Sequence, residues 1–314
     1  MALTFAATPR TASPDVPRPR SPRGRAARRS LTGWAFAGPA TLVVVGLSIF
    51  PAVWAFFISR TKWNGIAPAT DVGWRNYERI ASDPDAIAAA QHTLVLTALF
   101  VPGSILLGML IAIALNQRIR LIGFYRTCIF VPYVASAAAT GILAGYVFSP
   151  QFGIVNEALR TLGLPTQQFL ESPSQALFTI VVIALWGEIG FVSVIYLAAL
   201  QDVPKELVEA AVVDGAGPWR VFRHVTLPQL RPVTVFATVW QTITALQLFD
   251  LIYTSTRGGP LNTTQTVVYY IYELAFQTRR LGYGAALAYL LFAVTLVLTV
   301  LVVWYGRRRG SEAF

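Results

Sequence analysis

Six long apolar runs dominate the hydropathy pattern of the chain. A helix rises about 1.5 Å per residue, so about 20 apolar residues cross a hydrocarbon core of about 30 Å. The pattern therefore predicts an all-α polytopic membrane protein with six transmembrane helices. The predicted spans cover approximately residues 34–58, 93–115, 122–148, 176–200, 233–253 and 284–305.

Prolines interrupt several of these runs. A proline inside a membrane helix is tolerated when neighbouring helices satisfy the freed backbone groups, so Pro51 and Pro102 are compatible with continuous spans. The third run is the least regular, because Arg126 and Pro132 lie near its start. We expect a kinked helix there.

A polar stretch, residues 201–232, separates the fourth and fifth runs and has the pattern of two short helices. Asp202 can cap the first helix. Gly215 is the residue type that ends a helix in the left-handed conformation. A second short helix is predicted to start at Gly217 and to end at Pro228, so the stretch forms a helix–turn–helix hairpin (hereafter the hairpin).

Composition supports the membrane assignment. Of the 314 residues, 55% are hydrophobic and 13% are charged, whereas a soluble domain carries about 25% charged residues. Cys128 is the single cysteine, which excludes an internal disulfide and a multi-cysteine metal site. His92 and His224 lie too far apart for a local metal motif, so no metal site is predicted.

The net charge of +10 does not indicate nucleic-acid binding, because the cations lie at the ends of the apolar runs. Cytoplasmic segments of membrane proteins carry an excess of Lys and Arg. With the N-terminus inside, the inner segments hold seventeen of the 25 Lys and Arg residues and the outer segments hold eight. Both termini and the hairpin are therefore predicted to be cytoplasmic.

Residues 1–30 hold seven arginines and five prolines and few bulky apolar side chains. Such a segment cannot bury enough surface to fold, so we expect a disordered cytoplasmic tail. A cleaved signal peptide is the alternative, but the apolar run that follows is long for one and has no clear cleavage site. The predicted organisation is this tail, a six-helix membrane domain over residues 31–309, and a short tail over residues 310–314.

The hairpin carries a long spaced motif. It reads Glu209-Ala210-Ala211, then Gly215, then Val225, Leu227 and Pro228. This motif resembles the signature of permease subunits in binding-protein-dependent ABC importers, which has isoleucine where Val225 stands. The resemblance implies the type I ABC importer permease fold, in a bacterial plasma membrane, with the hairpin as the cytoplasmic coupling helix.

Further motifs are similar to the carbohydrate-uptake branch of that family. They are Asp214-Gly215-Ala216 with Trp219 and Phe222, Phe249-Asp250-Leu251-Ile252-Tyr253, Gly258-Gly259-Pro260, and Gly282-Tyr283-Gly284-Ala285-Ala286. The last of these is similar to the first permease of maltose-type importers. Permeases for glycerol-3-phosphate or for glycerophosphodiesters stay open as alternatives.

The resemblance implies a set of partners. They are a second homologous permease, a dimer of ATP-binding subunits, an extracytoplasmic substrate-binding protein and membrane lipid. The residues implied in coupling to the ATPase are Glu209, Ala210, Ala211, Asp214, Gly215, Leu227 and Pro228. The chain has no GxxxxGK[ST] motif to hold a nucleotide, so ATP and Mg²⁺ are expected on the partner subunits and no cofactor or catalytic site on this chain.

Polar groups inside the apolar runs are candidates for a substrate pathway, because they are costly in a membrane. The candidates are Trp186, Glu188, Tyr196, Gln241, Thr244, Gln247 and Asp250. Gln241, Thr244, Gln247 and Asp250 follow one another at i,i+3 spacing and predict a polar stripe on the fifth helix. Carboxylates and amides can bind hydroxyl groups, and aromatic rings can stack on a sugar face, which suits a polyol.

Two other interpretations of these polar residues stay open. Buried amides often bond neighbouring helices without touching a substrate. Glu188 could also pair with Arg126 or with a cation of a partner subunit.

Other classes of membrane protein require different features in the sequence. A self-contained secondary carrier or channel would favour inverted repeats with broken helices, and the sequence has no such repeat. An ABC permease for amino acids or peptides would share the hairpin motif. A membrane enzyme would need a nucleophile or metal motif such as GxSxG or HExxH, and the chain has neither.

Overall fold

The computed structural model describes residues 36–117 and 120–308, which are helical almost throughout. We label the helices α1 Phe36–Ser59, α2 Arg75–Ile80, α3 Pro84–Leu115, α4 Ile122–Val134, α5 Ala137–Val147, α6 Ile154–Thr161, α7 Ala176–Gln201, α8 Lys205–Val213, α9 Pro218–Val221, α10 Leu227–Gln229, α11 Arg231–Leu246, α12 Asp250–Ser255, α13 Val267–Tyr272 and α14 Leu281–Arg308. Strands β1 Thr61–Lys62 and β2 Thr70–Asp71 pair antiparallel. The tails predicted over residues 1–30 and 310–314 lie outside the described residues.

Five segments of the described chain are long and apolar enough to cross a membrane, and a bent helix pair supplies a sixth. The five are α1, α3, α7, α14 and the combined segment Arg231–Ser255, which contains α11 and α12. The second span begins at Pro84, nine residues before the predicted start, because Asp83 caps it by accepting a hydrogen bond from Asp85 N at 3.1 Å. Pro102 lies within α3 without interrupting it, as predicted.

Two compact units divide the chain after Trp54. The described part of the first unit is α1 up to that residue, where a π-helical turn occupies Val45–Ile49 and the rings of Phe50 and Trp54 stack with centroids 6.4 Å apart. The second unit, Ala55–Phe314, contains all the features discussed below.

The third predicted span is bent far more sharply than a kinked helix. It consists of α4 and α5, whose axes differ by 99° across a break of two residues. Ala135 and Ser136 both adopt extended backbone conformations, with ψ of 143° and 131°. Helix α4 runs through Pro132 to Val134, so the break lies at the two extended residues themselves.

The fifth predicted span is also interrupted. Helix α11 ends at Leu246, and α12 begins at Asp250 after three residues that are not in an α-helix. Gln247, at the end of α11, has a ψ of 8°, which leaves the helical region. The predicted polar stripe therefore does not lie on one continuous helix.

Three buried apolar clusters follow helix α3 from its start to its end. The first includes Ala86 with Tyr283, and it joins α3 to α13 and α14. The second includes Phe100 with Ile180, and the third includes Leu115 with Tyr196, so both join α3 to α7. Helices α3 and α7 therefore form the centre of the second unit, and α11, α13 and α14 contribute residues to the clusters around them.

Candidate functional site

The first arm of the hairpin is α8. Asp202 does not cap it, contrary to the prediction, because this residue ends the preceding helix α7. The N-cap position is Pro204, which makes no side-chain capping hydrogen bond. Two bends separate α7 from α8, so the first arm leaves the membrane helix at an angle rather than extending it.

Gly215 ends α8 in the left-handed conformation, as the sequence predicts. Its φ is +82°, and its N–H donates to Val212 O at 3.0 Å. The next N–H, of Ala216, donates to Ala211 O at 2.9 Å. This pair of bonds is the Schellman arrangement, which satisfies the last carbonyls of a helix through its own backbone.

The second arm starts where the sequence predicts but does not stop at Pro228. Helix α9 begins after Gly217, and a π-helical turn over Phe222–Thr226 connects it to α10. In this turn the N–H of Leu227 donates to Phe222 O, so Pro228 falls in the first turn of α10, where its missing N–H has no helical partner to lose. The chain then enters α11 at Arg231 after a single turn residue.

The hairpin presents a continuous exposed surface. Glu209, Ala210 and Asp214 are exposed, and Ala211 is half-buried. Large apolar side chains lie beside them without cover in this chain: Val213 is 86% exposed and Trp219 is 70% exposed. Leu227 is also exposed and Pro228 is half-buried. The motif residues thus occupy a protruding element that mixes a carboxylate, small residues and uncovered apolar groups.

A small cavity lies where α4 and α5 separate. It has a volume of ≈80 Å³ and is bounded by Pro132, Tyr133 and Thr140 on one side and by Glu188 and Thr244 on the other. Its remaining walls are apolar residues of the central cluster. We call this space the Glu188 cavity. It brings together two of the sequence-predicted pathway residues, Glu188 and Thr244.

Two pathway candidates carry buried polar atoms that have no hydrogen-bond partner among the described residues. They are Oε2 of Glu188 and both amide atoms of Gln241. Gln241 is completely buried, and Arg126 is not within ion-pair distance of Glu188 in the described chain. Arg126 instead donates to Leu115 O at 3.4 Å. A buried polar group without a partner is unfavourable, so these atoms favour a polar group that the described residues do not supply.

The other four candidates lie apart from the Glu188 cavity. Tyr196 is completely buried and donates its hydroxyl hydrogen to Thr234 at 2.9 Å, so its ring has no free face. Trp186 is 54% exposed and borders a separate apolar cavity of ≈340 Å³. Gln247 and Asp250 are exposed and lie at the break between α11 and α12.

Aromatic residues that the sequence interpretation missed connect these positions. Tyr133 stacks on Phe191 with centroids 4.9 Å apart, and Phe191 packs on Trp240 at 5.4 Å. Pro132 is the sequence feature that could have indicated Tyr133 as a site residue. Membrane segments interrupted by proline often lie at binding sites, and the residues next to the proline then lie there too.

A second aromatic group surrounds the break after α11. The rings of Phe249 and Tyr253 stack at 5.4 Å, and Tyr272 packs against both at 5.1 and 5.3 Å. Tyr272 also contacts Phe276, which is 72% exposed. Flat ring faces are thus available beside the exposed side chains of Gln247 and Asp250. Within the described residues, no group of three His, Cys, Asp or Glu side chains is placed to hold a metal.

Comparisons with known proteins agree on one family. The family model described as "Binding-protein-dependent transport system inner membrane component" matches residues 104–311. The sulfoquinovosyl glycerol transport system permease protein SmoG of Agrobacterium fabrum is 33% identical, covering 83% of this chain and 85% of that protein. The lactose transport system permease protein LacF of Rhizobium radiobacter is 33% identical, covering 89% and 95%.

A solved structure shares the fold. A chain in the crystal structure of a bacterial ABC transporter involved in the import of the acidic polysaccharide alginate superposes with a TM-score of 0.81. It is 23% identical, and the match covers 92% of this chain and 99% of that chain. The predicted ABC importer permease fold is therefore confirmed.

Proposed function

Since the chain belongs to the family of inner membrane components of binding-protein-dependent transport systems, we propose that it forms one half of the membrane pathway of an ATP-driven importer for a carbohydrate or related polyol. A second permease supplies the other half, and an extracytoplasmic protein delivers the substrate. The chain itself is not catalytic, and ATP and Mg²⁺ bind to a separate dimer of ATPase subunits.

The exposed hairpin is the observation that carries this proposal. Its first arm, α8, ends in a backbone-capped turn at Gly215, and the apolar side chains Val213 and Trp219 are uncovered. Exposed apolar groups next to a carboxylate suit a groove on another protein. Glu209 would pair there with a basic group, while Ala210 and Ala211 allow close approach. Asp214, Leu227 and Pro228 shape the same surface.

Because the hairpin is built from helical segments that connect directly to α11, a push on the hairpin would move that membrane helix as a rigid body. The orientation follows from the same proposal. The hairpin faces the cytoplasm, and so do both termini, in agreement with the distribution of Lys and Arg.

The polar features of the spans support a hydroxylated substrate. Glu188 and Gln241 carry buried polar atoms that the described chain leaves unpartnered, and hydroxyl groups can satisfy both carboxylates and amides. The aromatic group around Phe249 and Tyr272 offers ring faces for the apolar side of a sugar. The relatives named for lactose and for sulfoquinovosyl glycerol support the same substrate class.

A second permease is needed because the described membrane spans do not enclose a full substrate site by themselves. The Glu188 cavity, at ≈80 Å³, is far below the 300–1,000 Å³ of typical ligand pockets. Trp186 faces outward from the same helix and borders an open apolar cavity. Facing helices of a partner would close the pathway and supply further polar groups.

The decisive experiment measures ATPase activity of the assembled transporter in proteoliposomes, with its binding protein and a panel of ligands. The panel contains neutral sugars, anionic sugars, glycerol-3-phosphate, glycerophosphodiesters and amino acids. We expect stimulation by members of the sugar group. Stimulation by amino acids alone would contradict the substrate class, and stimulation by glycerol-3-phosphate or glycerophosphodiesters alone would narrow the polyol to those compounds. Uptake by this chain alone, without ATP, would contradict the importer assignment.

A matched pair of variants tests the coupling role. Glu209→Lys reverses the charge of the motif, whereas Glu206→Lys makes the same change one turn earlier on α8, where the side chain is also exposed. We expect Glu209→Lys to lower ligand-stimulated ATPase activity at least tenfold and to weaken copurification with the ATPase subunit, on the order of the loss of one buried ion pair. Glu206→Lys should retain both. Equal effects of the two variants would remove the basis for a specific contact at Glu209.

A further inference from the structure

Five cationic side chains line one cavity of ≈540 Å³ at the start of α14. We call it the cation cavity, and its cations are Lys62, Arg75, Arg79, Arg279 and Arg280. These residues come from three separate parts of the sequence, namely strand β1, α2 and the loop before α14. The outer segments predicted from the sequence hold eight Lys and Arg residues, and five of these eight line the cation cavity.

The lining of the cavity carries an excess of positive charge. Its lining contains no Asp or Glu, and none of its five cations forms an ion pair within the described residues. Asp83, which lies close by, accepts hydrogen bonds from Tyr270 and Tyr283 instead. Like charges at such density repel one another unless an anion lies among them, so the cavity favours an anionic ligand.

Specific contacts fix the walls of the cavity. Asn76 donates to Ser59 O at 2.8 Å and to Thr61 O at 3.0 Å, which ties α2 to the end of α1. The N–H of Gly282 donates to Trp63 O at 3.2 Å. A Cβ atom at Gly282 would collide with Thr61 O, so α14 can approach β1 this closely only through a glycine.

The guanidinium of Arg79 is also held in place. It lies 5.1 Å from the centroid of the Tyr283 ring, a cation–π arrangement. Arg279 has a φ of +53°, an uncommon conformation for a side-chain-bearing residue, which directs the chain around the rim. The cavity is therefore a built concave surface rather than a chance gathering of mobile side chains.

The cation cavity and the hairpin lie at opposite ends of α14. The cavity is next to its first residue, while Tyr305 and Gly306 near its other end border a space shared with Arg223 and Leu227 of the hairpin. A helix of 28 residues separates them by about 40 Å. The cation cavity also shares no lining residue with the Glu188 cavity.

The depth of the cavity matches the headgroup layer of a bilayer. Arg280 immediately precedes the apolar helix α14, so the cations lie just beyond the hydrocarbon edge. Trp63 lines the cavity and Trp74 lies beside it under Arg60, at 5.4 Å, and tryptophan is enriched at this interface. The first turns of α14 are buried, and from Leu290 onward the helix exposes a long apolar face that includes Phe292 and Leu296. A charged pocket and an exposed apolar face on the same helix match the two parts of a phospholipid.

We propose that the cation cavity binds the phosphodiester headgroup of an anionic phospholipid, whose acyl chains lie along the exposed face of α14. The phosphate provides the charge that the lining lacks, and several cations share it through charge-assisted hydrogen bonds. The apolar face of α14 favours a lipid over a free phosphate ion, which would need only the cavity. The proposal does not depend on which solute the transporter carries.

The test uses the full chain, purified in a neutral detergent together with the subunits that accompany it. Its thermal unfolding is followed during titration with phosphatidylglycerol, with phosphatidylcholine, or with inorganic phosphate. We expect phosphatidylglycerol to raise the unfolding temperature at lower concentrations than phosphatidylcholine. The double variant Lys62→Gln/Arg75→Gln should require about 25-fold more phosphatidylglycerol for the same effect, at about fivefold per cation near a membrane surface.

Two control variants distinguish the loss of charge in the cavity from a general effect of substitution on folding. Lys62→Arg/Arg75→Lys keeps both charges and should bind phosphatidylglycerol as the unaltered chain does. Arg160→Gln removes an exposed cation of the same membrane side that lies outside the cavity, and it should also have no effect.

Three results would overturn the proposal. The first is an unchanged preference for phosphatidylglycerol in the double variant. The second is stabilisation by inorganic phosphate equal to that by the lipid, which would assign the cavity to a free anion. The third is no lipid preference in the unaltered chain together with weaker capture of the binding protein by the double variant, which would assign the cavity to that protein.

Discussion

The two ends of the helical bundle are held by different kinds of contact. At the end that carries the cation cavity, side-chain hydrogen bonds join residues far apart in the sequence. Asp83 Oδ2 accepts from Tyr283 at 2.6 Å and from Tyr270 at 3.1 Å. Thr93 Oγ1 accepts from Val267 N at 2.9 Å in the buried interior. These bonds fix α13 and α14 against the start of α3.

At the hairpin end, the hydrogen bonds are local. Within residues 205–229, the described bonds join groups at most five positions apart, as in the turn at Gly215 and the bond between His224 and Arg220 O. The hairpin therefore keeps its own shape but has few ties to the bundle. In the proposed importer, this difference would give a fixed platform at the end with the cation cavity and, at the hairpin end, an element that a partner subunit could move.

The largest loss of stability is expected from removing the Asp83 carboxylate, the hydrogen-bond acceptor at the end of the bundle that carries the cation cavity. Asp83→Ala deletes two charge-assisted hydrogen bonds and the cap of α3, so the free energy of unfolding should fall by about 3 kcal/mol. Unfolding by denaturant in mixed micelles measures this change. Asp85→Ala, an exposed neighbour in the first turn, should cost about 0.5 kcal/mol. If both variants lose the same stability, the long-range network does not hold this end together.

A somewhat smaller loss is expected from Thr93→Val. The substitution keeps the shape of the side chain but leaves the buried N–H of Val267 without its acceptor, which should cost about 2 kcal/mol. Thr97→Val, one turn further along α3, removes only a hydroxyl that donates to its own helix. The same unfolding measurement should find that control nearly unchanged, and a comparable loss in both would contradict the role given to Thr93.

The hairpin responds differently to Gly215→Ala. A left-handed alanine costs about 1 kcal/mol, and because the hairpin is weakly tied to the bundle, the unfolding temperature of the whole chain should hardly move. Ligand-stimulated ATPase activity of the assembled transporter should fall severalfold. Gly217→Ala is the matched control, because Gly217 has a φ of −70° and open space around it. A large drop in unfolding temperature with Gly215→Ala would place the hairpin within the cooperative core.

The smallest expected effect is a dependence of stability on pH, which comes from Asp83 at the end with the cation cavity. Burial alone would raise the pKa of Asp83, but hydrogen bonds from Tyr283 and Tyr270 outweigh it and hold the pKa below its usual value. A carboxyl whose pKa is lowered by folding stabilises the fold above its unfolded pKa, about 3.9. That stabilisation is lost as the pH falls through the folded pKa.

Thermal unfolding between pH 5 and about pH 3 tests this dependence. The unaltered chain should lose stability toward the acid end, and Asp83→Asn should flatten part of the slope. Tyr270 provides a partner observation, because its burial and the nearby carboxylate raise the pKa of its hydroxyl. A steeper acid slope in Asp83→Asn would mean that the carboxylate destabilises this end.

Much of the fold could be predicted from the sequence, because each membrane-spanning helix requires a long run of apolar residues. The Gly215 turn was also predicted, since only glycine adopts that backbone conformation freely. Pro228 was misleading, because a proline ends a helix only where its N–H is needed, and the π-helical turn before it removes that need. The angle of the bend after Val134 was underestimated, because the residues on both sides of the bend are apolar and the hydropathy pattern does not mark it.

The candidate pathway was harder to predict than the hairpin. Spacing placed Gln241 and Asp250 on one stripe, but three non-helical residues separate their helices and send Asp250 to the exposed surface. Tyr196 has the residue type of a sugar-stacking side chain, yet packing against α11 buries it. The cation cavity was invisible in sequence, since its five cations come from segments about 200 residues apart.

The right-angle bend between α4 and α5 has a consequence for how the bilayer is crossed. The arms of 13 and 11 residues reach only about 20 and 16 Å, so neither traverses the hydrocarbon alone. Helix termini carry backbone carbonyls and amides without partners in their own helix. In the proposed pathway, the corner would bring backbone groups of the chain to the Glu188 cavity, which Ala135 lines, where they could replace some of the water around a hydrated solute.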